Sequence, residues 1–390
     1  MIANKITYIV SVALLLVTFV FTANAAALAA AAALIAMPVI TVVACRSSVA
    51  MLKLGFELPR SCVVNAPLVL RITLNRPLMF RGRMELSFSV YNQLTGTRTV
   101  YPVSLAPATG RPALFELELD SAVCGAHTIV LDTARLVDEM GFTSLALEDV
   151  DFHGLFTVYP EILDIQVDPH QSASASLEGT SYDPYRSGQD ASEVFDLRPY
   201  HEGDAVKSIH WKLSTRFDDM LVREASRPQD RAIAILFGAL AHDFERSSRP
   251  EVLSAVLSLT ASISLALMRQ GYHHVVVTAP EGALAVYPVY DRRGFNRMID
   301  ALTATPLSPA RPTSDERYAK LVAARGISKT VLVTVGVDER AYLDMGRLAG
   351  LSVLHVSDSV ESYSIEHGAN YTITHCPVSG DSGRIKSLEL

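Results

Sequence analysis

The first forty-five residues and the rest of the chain follow different rules of polarity. Between residues 6 and 45 no side chain carries a charge. A single helix of that length would run about 60 Å, twice the roughly 30 Å hydrocarbon core of a bilayer. The run therefore predicts a helical hairpin. Its most polar point, Thr22-Ala23-Asn24, predicts the turn between one span over residues 6–21 and another over 25–43, with Pro38 as a kink in the second. Lys5 precedes the hairpin, and Arg46, Lys53 and Arg60 follow it. The excess of positive charge beside the spans places both ends, and the body of the protein, in the cytoplasm. Two other readings stay open. "TANA" before Ala26 resembles a signal-peptidase site, with the first segment cleaved, and "VVAC" ending at Cys45 loosely resembles a lipoprotein box.

From residue 56 to about 160 the pattern alternates with a period of two. "LVLRITLN" (68–75), "RMELSFSVYN" (83–92), "TRTVYPVSL" (97–105), "ALFELELD" (113–120) and "HTIVLDTARLVD" (127–138) are separated by Pro, Gly and Asn turn signals. Five such runs in succession predict an all-β sandwich. Residues 170–192 are rich in Ser, Gly, Asp and Tyr without apolar periodicity, and predict a loop or linker.

From residue 231 the pattern changes again. "AIAILFGAL" is continuously apolar, as in a strand buried on both faces. "EVLSAVLSLTASISLALMRQG" has helical length and a glycine stop at Gly271. "HVVVTAP", "ALAVYPV", "TVLVTVG" and "LSVLHVSD" predict strands, with helices over 294–302, 314–324 and 338–348. Alternating strands and helices predict an α/β domain with a mostly parallel sheet. After Ser357 the chain turns polar, which predicts a loosely ordered tail. The predicted organisation is thus a transmembrane hairpin (1–46), a β-sandwich (47–165), a linker segment (166–230) and an α/β domain (231–390).

Bulk composition narrows the chemistry. Of 390 residues, 49% are hydrophobic, and mean hydropathy is +0.24, which suits a membrane-attached protein. The net charge of -7 is spread along the chain, without a basic block. Nucleic acid is therefore not an expected partner. The four cysteines, Cys45, Cys62, Cys124 and Cys376, form no C-x-x-C pair, which argues against a zinc site or a disulfide framework. No P-loop and no G-x-G-x-x-G occurs, so no nucleotide cofactor is expected. His273-His274 precede a predicted strand and are expected to start it at the surface; further metal ligands are missing nearby. Cys124 and His127 form a weak Cys-x-x-His candidate for thiol chemistry.

The densest polar stretch is "RPYHEGDAVKSIHWKLSTR" (198–216), which holds the sole tryptophan, Trp211. Gly203-Asp204 predicts a turn and a helix N-cap, with Val206, Ile209 and Leu213 on one helical face. Three readings compete. In the first, Trp211 is a packing anchor, and Arg198, Asp204, Arg216 and Glu224 form a buried ion network. In the second, the Arg and Trp side chains are a docking surface. In the third, Asp204, His210 and Ser214 supply an acid, base and nucleophile. Asp204 lies more than a helical turn from the other two, and there is no G-x-S-x-G elbow. "MLVREAS" (220–226) predicts a strand that follows.

In its context, this stretch resembles the bacterial domain of unknown function 58 family. The pattern is Arg198, Tyr200, Gly203, Asp204, Lys207, Ile209, His210, Trp211, Lys212, Ser214 and Arg216, followed by "LVRE" ending at Glu224. The upstream "MGFTSLALEDVDFHGLFTVYP" is similar as well. Lys207 stands where arginine is usual and Thr215 where alanine is usual; lysine lacks the planar fork of arginine. The resemblance implies a von Willebrand A-like C-terminal domain. Many such domains hold Mg²⁺ through Asp-x-Ser-x-Ser, which "ILFGALAHD" lacks, so no metal is expected. It also implies a non-enzymatic, membrane-anchored scaffold or adaptor that works with a MoxR-type AAA+ ATPase and possibly with a transglutaminase-like membrane protein. The alternative is a membrane-tethered hydrolase using His210.

Overall fold

A computed structural model describes residues 2–74, 82–107, 113–138, 141, 143–168, 182–200, 209–212, 214, 220–228, 232–240, 251–280, 283–307, 316–358, 363–378 and 387–389. The chain divides into two compact units. One comprises residues 1–161, 240–258 and 299–309, and the other 162–239, 259–298 and 310–390.

The first unit opens with two apolar helices, α1 (Ile2–Thr22) and α2 (Ala25–Met51). The break falls at the predicted polar point. Ala23 takes a left-handed conformation (φ 46°), and its N–H still closes the last turn of α1 on Phe19 O at 2.8 Å. Asn24 then caps α2, its side chain accepting the Ala26 N–H. Tyr8 Oη donates to Leu34 O at 2.7 Å, tying the two helices together. Helix α2 runs on past Val43, with Pro38 inside it, to Met51. Its last turns leave the apolar hairpin: Cys45 is buried in the β core, and Val49 packs against it.

The strands of this unit are β1 (Leu54–Glu57), β2 (Ser61–Val63), β3 (Leu68–Leu74), β4 (Gly82–Asn92), β5 (Arg98–Leu105), β6 (Ala113–Leu119), β7 (Gly125–Asp138), β8 (Ser144–Ala146) and β9 (His153–Tyr159). They form one sheet in the order β1-β3-β6 and another in the order β2-β9-β7-β4-β5, with β8 on β7. The five predicted alternating runs are β3 to β7. Alternation is what lets two sheets share a core: Leu68, Leu70, Ile72 and Leu74 of β3 face the same cluster as Met84, Leu86 and Phe88 of β4. Outward positions stay polar, as where Arg71 meets Glu116 at 3.2 Å. A slip of one residue in β3 would turn all four aliphatic side chains to solvent, so the register is tightly specified. Phe56 stacks on Phe152 at 4.6 Å, and Phe88 meets both rings edge-on.

The remaining elements are β10 (Gln166–Asp168), β11 (Tyr182–Pro199), β12 (Leu221–Pro228), β13 (Ala232–Phe237), α3 (Glu251–Arg269), β14 (His274–Thr278), β15 (Ala285–Val289), α4 (Arg292–Ala304), α5 (Glu316–Arg325), β16 (Ile327–Thr334), α6 (Glu339–Leu348), β17 (Gly350–Ser357), β18 (Ser364–His367), β19 (Tyr371–Pro377) and β20 (Ser387–Glu389). Seven strands build a mixed sheet in the order β15-β14-β13-β16-β17-β19-β18. β14, β13, β16, β17 and β19 run parallel, and β15 and β18 close the edges antiparallel. The central strands are buried on both faces, as their unbroken apolar runs predict. On one face Leu332, Leu351, Val353 and Ile373 pack with Tyr318 of α5 and with Tyr342 and Met345 of α6.

Two expectations are corrected here. The polar segment 170–192 is not all linker: from Tyr182 it is strand β11, paired antiparallel with β12 through several register shifts. Residues 170–181 lie outside the described residues. Among the described residues beyond Ser357, 371–377 are not loose either. β19 is a parallel strand of the sheet, with Ile373 and Cys376 buried. Its polar and apolar residues are mixed because it lies next to the edge strand β18, so burial is less uniform than in β13 or β16.

Two described helical segments are long and apolar enough to cross a membrane, Ala25–Val49 of α2 and Glu251–Arg269, which is α3. Their settings differ: 11% of the apolar window is buried in the first and 72% in the second. α3 is thus a core helix, ended by Gly271 at φ +84°. The apolar part of α1, Ile6–Thr22, is shorter.

Candidate functional site

The described residues of the polar stretch 198–216 are built onto the start of β12. Pro199 pairs with Leu221 and Arg198 with Val222 across β11 and β12, and the Tyr200 N–H donates to Met220 O at 2.8 Å. On the other side of β12, Ile209 forms an antiparallel bridge with Val222, and the His210 N–H donates to Leu221 O at 2.8 Å. The entry to β12 is therefore held from both sides. Ile209 is buried as a strand-like partner, not as one position of an apolar helical face. Helical geometry is found at Trp211, Lys212 and Ser214.

Ser214 closes this turn. Its N–H donates to His210 O at 3.0 Å. Its hydroxyl donates to the same carbonyl at 3.1 Å and accepts the Leu221 N–H at 2.9 Å. The side chain is buried (8% exposed). A hydroxyl spent on two backbone groups satisfies polar atoms that the turn would otherwise bury unpaired. It is positioned as a staple, not as a nucleophile free to attack a substrate.

Trp211 sits on the turn that Ser214 fixes, and it is 58% exposed. Lys212 beside it is exposed and His210 is half-buried. Met220, at the entry to β12, is exposed as well. The sole tryptophan is thus presented to solvent rather than packed as a core anchor. Glu224 lies in β12 opposite Asp196. Gly203, Asp204, Lys207 and Arg216, together with Val206 and Leu213, lie outside the described residues, as do the side chains of Arg198 and Glu224. The predicted N-cap and ion network fall on those positions.

The other candidates resolve into packing. Cys124 is fully buried, and burial pushes its thiol up to about 11. His127 turns away from thiol chemistry: its ring stacks on Phe156 at 4.7 Å and bonds to Asn92 Nδ2 and Gly125 O. Burial lowers its basicity, against the pull of the Gly125 carbonyl. The pair is structural. His274 does not start its strand at the surface; it is 1% exposed. Its Nε2 meets Ser264 Oγ of α3 at 2.7 Å, and Nδ1 donates to Tyr272 O at 3.1 Å. Burial drives this imidazolium down to about 4. His273 stays exposed, edge-on to Tyr290.

In the sheet order, the connection from β13 leads to β14 on one side and β16 lies on the other, which makes the β13/β16 pair the switch point where α/β sheets tend to hold ligands. Gly238 follows β13 there. Its N–H donates to Val333 O at 2.8 Å, and a Cβ would stand 2.8 Å from Leu332 Cδ1. A larger residue would have to push the end of the Leu332 side chain aside and crowd Val333 O at 3.0 Å. The loop after residue 240, where an Asp-x-Ser-x-Ser motif would continue, lies outside the described residues. Among the described residues no cluster of three His, Cys, Asp or Glu side chains is placed to hold a metal.

Residues 196–341 match the family model of the protein of unknown function DUF58. The match covers Trp211 and its turn, and it supports the resemblance carried by the motif. No curated protein matches the chain. Among solved structures, a β-glucosidase from Listeria innocua is 11% identical over 27% of this chain, with a TM-score of 0.20, and the chain spans 16% of its length. A cohesin module from Clostridium perfringens is 8% identical over 27% of this chain and 96% of its own, with a TM-score of 0.20. A superoxide reductase from Ignicoccus hospitalis is 12% identical over 27% and 80%, with a TM-score of 0.18.

Proposed function

We propose that this protein is a membrane-anchored scaffold or adaptor that docks a partner through the turn at Trp211. In this reading α1 and α2 form a two-span anchor, with the rest of the chain cytoplasmic. The α/β sheet belongs to a von Willebrand A-like domain that works without a metal. The partner is a MoxR-type AAA+ ATPase, by the family resemblance, with a transglutaminase-like membrane protein as a second candidate.

The observation that carries the reading is the exposure of Trp211 on a fixed turn. Leaving a large aromatic ring in water forgoes the roughly 2–3 kcal/mol that its burial would contribute. Tryptophan presented on a rigid backbone is the residue type that dominates binding hot spots. Lys212 adds a positive charge at its rim. The commitment of the Ser214 hydroxyl to Leu221 and His210 speaks against a serine nucleophile at this turn; a membrane-tethered hydrolase using His210 remains the alternative reading.

The test is a pull-down of a MoxR-type ATPase with the detergent-solubilised native chain, Trp211→Ala and Lys212→Glu. Limited proteolysis checks that each variant is folded. Loss of the ATPase from folded variants is the expected result. Equal retention by folded variants would remove the docking surface from this turn. A reporter fused after Leu390 checks the topology separately: it should behave as cytoplasmic, and labelling from outside would sink the two-span anchor.

A further inference from the structure

His355 and His375 are twenty residues apart, yet they sit side by side near the carboxyl ends of β17 and β19, paired in register. Their Nδ1 atoms are 2.9 Å apart, with the rings nearly perpendicular. His355 Nε2 lies 2.8 Å from Val335 O, just beyond β16. A carbonyl only accepts, so His355 Nε2 carries a proton and donates it. A neutral His355 then has its lone pair on Nδ1, and it must accept from His375 Nδ1–H. One proton position therefore dictates the next.

The chain of donors ends at His375 Nε2. This atom is buried without a hydrogen-bond partner, and it lies 3.6 Å from Glu366 Oε1 on the edge strand β18. If His375 is neutral, a lone pair faces a carboxylate. If it takes a second proton, Nε2–H points at Glu366 and the contact becomes a charge-assisted pair. If His355 holds the extra proton instead, its Nδ1–H donates to His375 Nδ1 and the His375 proton moves to Nε2, so Nε2–H faces Glu366 whichever ring carries the charge. Burial holds the His355 imidazolium down; the Val335 carbonyl opposes this, and the neighbouring His375 adds to it.

We propose that His355, His375 and Glu366 form a proton-operated clasp that holds the edge strand β18 on the sheet. The clasp is closed when the histidine pair holds an extra proton, with N–H at His375 Nε2, and slack when both rings are neutral. Among the described residues the other groups nearby are engaged or exposed: Asp338 accepts the Ala341 N–H at the start of α6, and His367 at the end of β18 is exposed. Cys376, next in β19, faces the opposite side of the sheet, because neighbours in a strand alternate. From α6, on the side of the histidines, Tyr342 gives its hydroxyl to Gly336 O. Asp344 and Arg347 pair with each other at 3.6 Å, and Glu339 and Arg340 in its first turn are exposed. β18 is the strand such a clasp would govern: it has four residues, all exposed, and among the described residues it pairs with β19 alone.

The test is hydrogen exchange, read by mass spectrometry on the full chain in lipid nanodiscs, between about pH 5.5 and 7.5, where histidine ordinarily changes charge. Rates are corrected for intrinsic exchange. The peptide holding residues 364–367 should be roughly threefold more protected at the acidic end, a modest effect because Glu366 is 70% exposed. Glu366→Gln should flatten this dependence while the β13 and β16 peptides keep their protection. Glu366 is a surface residue, so the variant folds whatever the role of the clasp. Protection of β18 that is constant with pH in the native chain, or a dependence that survives in Glu366→Gln, overturns the proposal.

Discussion

His274 makes the α/β sheet sensitive to acid, by an amount the structure sets. Its ring is buried between α3 and β14, with Nδ1–H given to Tyr272 O and Nε2 against the Ser264 hydroxyl. The Ser264 hydroxyl can turn to accept from a protonated Nε2, so the penalty on a second proton is the burial of a charged ring away from water. Burial therefore depresses its pKa from 6.5 to about 4. The unfolded chain binds the proton first as pH falls, so the folded state loses stability through that window. Above about pH 6.5 the contribution is fully present; it declines by roughly 1.4 kcal/mol per unit of pH and is exhausted below about pH 4, a total of about 3 kcal/mol. That is a sizeable fraction of the roughly 5–15 kcal/mol that holds a domain together. The assay is urea denaturation of the full chain in nanodiscs, followed by exchange of the β13 and β14 peptides at several pH values. His274→Gln serves as the non-titrating reference, since an amide can still bond to Tyr272 and Ser264. The native chain should lose about 3 kcal/mol more than the variant between neutral pH and pH 4. Parallel curves for the two proteins would refute the reasoning, whatever their absolute stabilities.

Two further outcomes follow from the same geometry. Ser214→Ala removes the acceptor for the Leu221 N–H and should cost about 1–3 kcal/mol locally, seen as faster exchange and cleavage at the start of β12; Trp211→Ala, at an exposed position, should leave that protection within about 0.5 kcal/mol of native. Cys124 and Cys376 are buried, with thiols pushed up to about 11 and about 12, so both should resist alkylation at neutral pH in the folded chain; Cys62, only partly buried, should react first, and equal rates at all three would contradict the burial described.

Pattern alone was enough wherever local sequence and final environment agree. The turn at Thr22-Ala23-Asn24 was legible because a polar break in an apolar run can go nowhere else, and Asn24 is a natural cap. β3 to β7 were legible because each has one wet and one dry face. β13, β16 and α3 were legible because they are dry on every side. What could not be read was any feature made by pairing distant segments. The polar segment from Tyr182 is a strand only because β12 supplies its ladder, and β19 is ordered only because β17 lies beside it. Ser214 looked like a possible nucleophile until the backbone of Leu221 arrived to occupy its hydroxyl. Trp211 looked more like an anchor than a docking residue until its surroundings were known. His274 looked like a surface histidine until Ser264 closed over it. His355 and His375 carried no mutual signal at all, since strand order and register are decided by which sheet neighbours bury the most apolar surface together. The sequence by itself determined the elements and their apolar faces, because propensity and periodicity act over a few residues. Only the tertiary structure decided which polar side chains are committed and which are left open, because a hydrogen-bond partner is a property of the folded neighbourhood and not of the residue.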